Sequence, residues 1–146
     1  MSNGAGFRRG ASLIEFAAVL TVVITVIFGV IETGRLMLAY ITLAEAARAG
    51  VRSAIVTGAD VSGTLASKRT AVQTLVQGVG TAAGFTLPAP TVCYGSSVSV
   101  ACDGLGTAAV GQSVTVTVSY SYIPLTPTFS SAGFSISSTS VGTICF

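Results

Sequence analysis

The sequence contains no histidine and no tryptophan, and charged residues make up only 8% of it. Without histidine there is no serine–histidine–aspartate triad and no histidine-ligated metal site. Charge lies far below the roughly 25% of an average globular chain, so no lysine–arginine surface is dense enough to follow a nucleic-acid backbone. The formal net charge of +2 makes no case for a polyanionic partner. The same composition argues against disorder, because 51% of residues are apolar. Carboxylates are equally scarce. Beyond the first predicted helix only Asp60 and Asp103 remain, too distant in sequence to support a catalytic acid pair. No phosphate-binding glycine loop and no nucleophile elbow occurs, and the many serines have no imidazole base. These absences point away from an enzyme and call for no cofactor, no metal and no small-molecule substrate.

The charge that is present is unevenly placed. Beyond Arg69 the only charged residue is Asp103, and the second half is instead rich in Ser, Thr, Gly and Val. A surface made soluble by hydroxyls suits an exported, β-rich domain. Residues 1–10 are polar and glycine-rich, end in Arg8-Arg9-Gly10, and read as a flexible leader. Residues 16–31 carry no charge and abound in Val and Ile. With residues 11–14 they reach the ~20 residues, or ~30 Å of helix, that a bilayer needs, interrupted only by Glu15. No small-residue cleavage site of the secretory type follows Ile31. The stretch therefore reads as a membrane helix, and Arg8 and Arg9 keep its N-terminus cytoplasmic.

The helix is expected to continue past the membrane, over about 13–55, with a bend near Gly34. Leu36, Tyr40, Leu43, Ala47, Val51 and Ala54 recur at helical steps, and Glu45, Arg48 and Arg52 fall on another face. A second helix follows, with Asp60, Ser62 or Thr64 as its N-cap. Leu65, Val72, Leu75, Val76 and Val79 form its apolar stripe, and Gly78, Gly80 and Gly84 stop it. After Pro90 the period becomes two. Segments 91–94 and 98–102 read as a hairpin around Gly95-Ser96, 113–122 is the clearest strand, and 134–140 a weaker one. The fold class is α+β: a long N-terminal helix, a short second helix and a small antiparallel sheet. Its expected divisions are 1–10, 11–57 and 58–146.

Cys93, Cys102 and Cys145 match no zinc spacing. Cys93 and Cys102 flank the predicted hairpin and could form a disulfide in an oxidising compartment. Cys145 is then left over, as a free thiol, a bond to a partner chain or a small buried thiol. The residue that stands out chemically is Glu15, because a carboxylate in an apolar span is costly and marks a functional position.

Gly10, then Glu15 at the fifth position after it, then Phe16 and an apolar helix, resembles the processing site of type IV pilin-like proteins. More narrowly, four blocks resemble the TadE-like minor pilins of tight-adherence pilus systems. They are the opening from Arg9 to Ala17, the membrane-exit block from Gly29 to Leu36, the Ala- and Arg-rich helix from Ala44 to Arg52, and the late strand and turn from Val114 to Pro127. Phe16 stands where these pilins often have Tyr, and the Cys145-Phe146 ending departs from the family's acidic one. The resemblance implies cleavage between Gly10 and Ala11 by a prepilin peptidase at the bacterial inner membrane. It also implies that Glu15 pairs with the new amine of a neighbouring subunit, and that the partners are other pilin subunits in an adhesive pilus. The competing expectation is an uncleaved, signal-anchored binding module that presents its Ser/Thr-rich sheet outside the cell.

Overall fold

Helix α1 runs over Gly4–Ala59 as one element, continuous through Gly34. The structure, a computed structural model, describes residues 4–59, 63–95, 108–125 and 133–145. After α1 come α2 (Leu65–Ala82), β1 (Thr91–Tyr94), β2 (Ser113–Tyr122) and β3 (Phe134–Thr143). The architecture is α+β, as the periodicities predict. The leader is the first difference: its backbone is already helical from Gly4. No proline lies between residues 1 and 87 to stop the helix, and propagating a formed helix is far cheaper than nucleating one.

Residues 11–28 of α1 are exposed throughout. Large side chains such as Leu13, Ile14, Phe16, Val22 and Val26 touch nothing that would cover them. A core helix of a soluble domain is mostly buried, so this stretch is not one. The helix is long and apolar enough to cross a membrane, with a mean hydropathy of 2.6 in its most apolar window. Its hydroxyls are satisfied within the helix. Thr21 and Thr25 donate at 2.8 Å to the carbonyls of Ala17 and Thr21, one turn back. In lipid, where water cannot serve, internal satisfaction is required.

The second half of α1 belongs to the folded domain. Ala39, Leu43, Ala46, Ala47, Val51 and Ala54 are buried and form one stripe at helical spacing. Tyr40 was expected on this stripe and is instead exposed, with Ala39 in its place. The reason is distance: a stripe of small residues lets the sheet approach the helix closely. Gly50 marks one such close approach. A Cβ built there would lie 2.8 Å from a methyl of Val76 and 3.0 Å from one of Val116. Here α1, α2 and β2 meet.

Helix α2 is capped at its start by Thr64, whose hydroxyl accepts from the Ser67 amide at 3.3 Å. Of the other predicted caps, Asp60 and Ser62 lie outside the described residues. Val72 and Val76 are fully buried and Leu65 and Val79 partly so, as expected. Leu75 instead faces out, and Lys68 and Gly80 turn inward. Gly78 and Gly80 do not stop the helix. It ends at Gly84, whose φ of 81° suits glycine. There the Phe85 amide bonds the Gly80 carbonyl at 2.9 Å and the Gly84 amide bonds that of Thr81 at 3.0 Å, a Schellman closure.

The sheet is a three-stranded antiparallel one in the order β1-β2-β3. β1 pairs with β2, Val92 opposite Val116 and Tyr94 opposite Val114. Residues 98–102, the expected hairpin partner, lie outside the described residues. β3 pairs with the whole of β2, from Ser113 opposite Thr143 to Tyr122 opposite Phe134. It therefore runs three residues beyond the predicted 140. Val114, Val116, Val118 and Tyr122 point into the core, as the period-two pattern requires. The layer that covers them is chiefly α1; α2 leans on α1 and reaches β1.

Candidate functional site

The predicted processing and assembly residues all lie on the uncovered part of α1. Gly10 and Ala11 fall within continuous helical backbone, so the Gly10–Ala11 bond sits inside a helix. Ala11, Glu15 and Phe16 are exposed. Ala11 and Glu15 are four residues apart and so share one helical face. Among the described residues the ion pair is Arg35–Glu32, and Glu15 takes part in none. Among the described residues no element of the domain is brought to this segment. Whatever meets Glu15 must come from outside the described chain.

A second constellation lies at the other end of the apolar stretch, and the sequence pattern did not single it out. The Tyr122 hydroxyl donates to a Glu32 carboxylate oxygen, and the Leu125 amide donates to the same oxygen at 3.2 Å. Arg35 pairs with the other oxygen at 3.5 Å. Its guanidinium carbon lies 5.8 Å from the centre of the Tyr122 ring, within the range of a cation–π contact. Phe134 flanks the same ring at 5.4 Å between centroids. Burial first, and the hydrogen bond to Glu32 second, raise the Tyr122 hydroxyl above its ordinary pKa. It therefore stays a proton donor. Glu32 thus fastens the last residues of β2 to α1 just where the apolar stretch ends. The signal in the sequence was a Glu–Arg pair at i,i+3 directly after sixteen uncharged residues, 16–31. Its partner, 90 residues away along the chain, carried none.

The cysteines divide. Cys93 on β1 is disulfide-bonded, while Cys102, the predicted partner, lies outside the described residues. Cys145 is free and exposed, its thiol 3.3 Å from the Thr143 carbonyl. This overturns the reading of Cys145 as a buried thiol. Among the described residues no group of acids, cysteines or histidines could hold a metal ion. A shallow groove of about 460 Å³ between α1 and α2 is lined by Ala49, Arg52, Ser53, Val56, Thr57 and Leu75. It brings no convergent set of polar groups.

No curated protein and no solved structure matches the chain. A family model does match part of it, described as TadE-like protein, over residues 10–52. That span takes in most of α1 and none of α2 or the sheet. Residues 10–52, the stretch that holds Gly10, Glu15, the apolar run and the Glu32–Arg35 pair, are similar to the TadE-like family.

Proposed function

We propose that this chain is a structural minor pilin of a tight-adherence type IV pilus, anchored in the bacterial inner membrane with its domain outside. The observation that carries the reading is the uncovered apolar helix with Glu15 near its start, within the family-matched stretch. A large apolar surface left bare by its own domain needs lipid or other helices to cover it. In this reading a prepilin peptidase hydrolyses the Gly10–Ala11 bond and leaves an ammonium group on Ala11. An isolated charge at the middle of a bilayer costs roughly 3 kcal/mol on insertion scales. Ammonium and carboxylate of neighbouring subunits, placed together, offset part of that cost. They also fix one axial offset between helices, because only one brings the two groups into contact. The work of the subunit is assembly of an adhesive fibre through helix contacts, not catalysis.

A second reading, the uncleaved signal anchor, has one observation in its favour. The helical backbone crosses the Gly10–Ala11 bond without a break, and a peptidase must open that turn to reach it. Intact-mass measurement on protein from its native membrane separates the two. The expected mature chain begins at Ala11; a chain that retains residues 2–10 leaves only the anchored module. Glu15→Ala is expected to insert normally and to abolish most pilus output, scored by surface pili and by membrane content. Wild-type piliation in that variant would remove the pairing role.

A further inference from the structure

The folded domain has an apolar end as well as an apolar helix. Ile123, Leu125 and Phe134 are exposed, at 66%, 64% and 43%. They follow or oppose the last residues of β2, where Tyr122 and Leu125 bond Glu32. Their height above the membrane is therefore set by α1. From residue 11 to residue 31 a helix rises about 30 Å, the thickness of a hydrocarbon core. Glu32 then stands at the boundary, and the Leu125 amide, 3.2 Å from its carboxylate, stands at the same level. A headgroup layer extends roughly 5–7 Å beyond the hydrocarbon on each side. Ile123, Leu125 and Phe134 lie at that depth if α1 spans the bilayer.

The chemistry around them fits such a layer. Tyr122 is buried and ties this end of the sheet to Glu32. Arg35, on the ring face, keeps 45% of its side chain exposed and can reach lipid phosphate while holding Glu32. The opposite end of the sheet lies far away. Gly111 bonds Ile144, and Ile144 packs at Gly58, near the C-terminus of α1. The rise from Glu32 to Gly58 is about 39 Å.

We infer that Ile123, Leu125 and Phe134, with Arg35, form a second membrane contact that seats the tip of the sheet in the phospholipid headgroup layer. The occupant is lipid because the patch is continuous with the uncovered span and set at its edge. The inference rests on the single-pass reading of α1. Two attachments, a spanning helix and an interfacial tip, fix the tilt of the domain over the bilayer before assembly. Extraction into a fibre must then break the tip contact as well as draw out the helix.

The absence of native tryptophan gives a clean test. Single-tryptophan variants of the full chain, Leu125→Trp, Val22→Trp and Val110→Trp, are reconstituted in phosphatidylcholine–phosphatidylglycerol vesicles. The lipids carry bromine either near the headgroup or near the chain ends. Val110 is exposed and adjoins Gly111 at the distal end. The expected result is strong quenching of Val22→Trp by deep bromine and of Leu125→Trp by shallow bromine, with Val110→Trp unquenched. Leu125→Trp is also expected to emit at shorter wavelength than Val110→Trp. If Val22→Trp is quenched and Leu125→Trp is not, the tip contact is wrong and the single-pass reading stands. A blue-shifted but unquenched Leu125→Trp means that protein covers the tip, which also overturns the inference. An unquenched Val22→Trp removes the spanning helix and the tip contact together. Ile123→Trp, at a second exposed position, guards against a local effect at residue 125 and must give the same shallow quenching.

Discussion

Along α1, the stretch from Ala11 to Ile31 and the stretch from Ala39 to Gly58 follow opposite packing rules. The first is built of large, often β-branched side chains, and the domain covers none of those from 11 to 28. The second buries Ala39, Ala46, Ala47, Gly50, Ala54 and Gly58, with Leu43 and Val51 the large exceptions. The larger apolar side chains thus stand where protein is absent, and the small ones where protein is present. Hydrophobicity alone misplaces the core of such a chain. Lipid solvates Val and Ile without regard to shape, whereas a sheet packed on a helix needs a matched, close surface.

The largest test of this contrast moves the same substitution between the two stretches. Gly50→Val puts side-chain atoms where Val76 and Val116 already stand. Overpacking of this kind is expected to cost about 3 kcal/mol. Gly29→Val meets nothing within 4 Å and should leave the melting of the domain unchanged. Thermal unfolding in detergent, followed by near-ultraviolet circular dichroism, reads both. Equal losses would mean that the two stretches share one packing environment, and the contrast would fail.

The same contrast explains what could be read in advance. β2 was legible because one buried face imposes strict alternation, and Val114, Val116 and Val118 obey it. The apolar stretch of α1 was legible as long enough to cross a membrane because that property asks only for length and apolarity. Tyr40 was misassigned because the periodicity of 36, 40, 43 and 47 is satisfied as well by its neighbour Ala39, and closeness of approach decided between them. Leu75 was expected on the apolar stripe of α2 and faces out, whereas Lys68 turns inward. The aliphatic stem of Lys68 can be buried if its ammonium finds an acceptor, and the Gly58 carbonyl is one, at 3.2 Å. The predicted site at Gly10, Ala11, Glu15 and Phe16 rested on a resemblance; the family model spans these positions, but their roles in cleavage and assembly stay a proposal. The junction at Glu32 was not legible, since a hydrogen bond to a residue 90 positions away leaves no periodic trace.

The C-terminal end of α1 gives a test of intermediate size. Lys68 brings its ammonium to a carbonyl of the last turn of α1, where the helix dipole favours a cation. Its side chain is buried, so the interaction is little screened. Lys68→Met keeps most of the stem and is expected to cost about 1–2 kcal/mol. Arg52→Met, on the exposed face of the same helix, should stay within about 0.5 kcal/mol of wild type. If the two variants melt alike, the closure of α1 by α2 depends on apolar packing alone.

The smallest expected effect lies at the boundary between the two stretches. Tyr122→Phe removes the hydroxyl that donates to Glu32 and keeps the ring that packs against Phe134 and Arg35. Glu32 retains some exposure, so solvent screens the bond and the expected loss of global stability is small. That loss should appear locally. Glu32 also accepts from the Leu125 amide, so the carboxylate, freed on one side, holds that amide less firmly. Hydrogen exchange at Leu125 is expected to quicken about fivefold, while exchange at Val116, deep in the sheet, stays unchanged. Quickening at both sites would show that the junction supports the whole domain. No change at either would show that α1 holds the sheet through its small-residue stripe alone, and that Glu32 has no part in seating the domain on the helix.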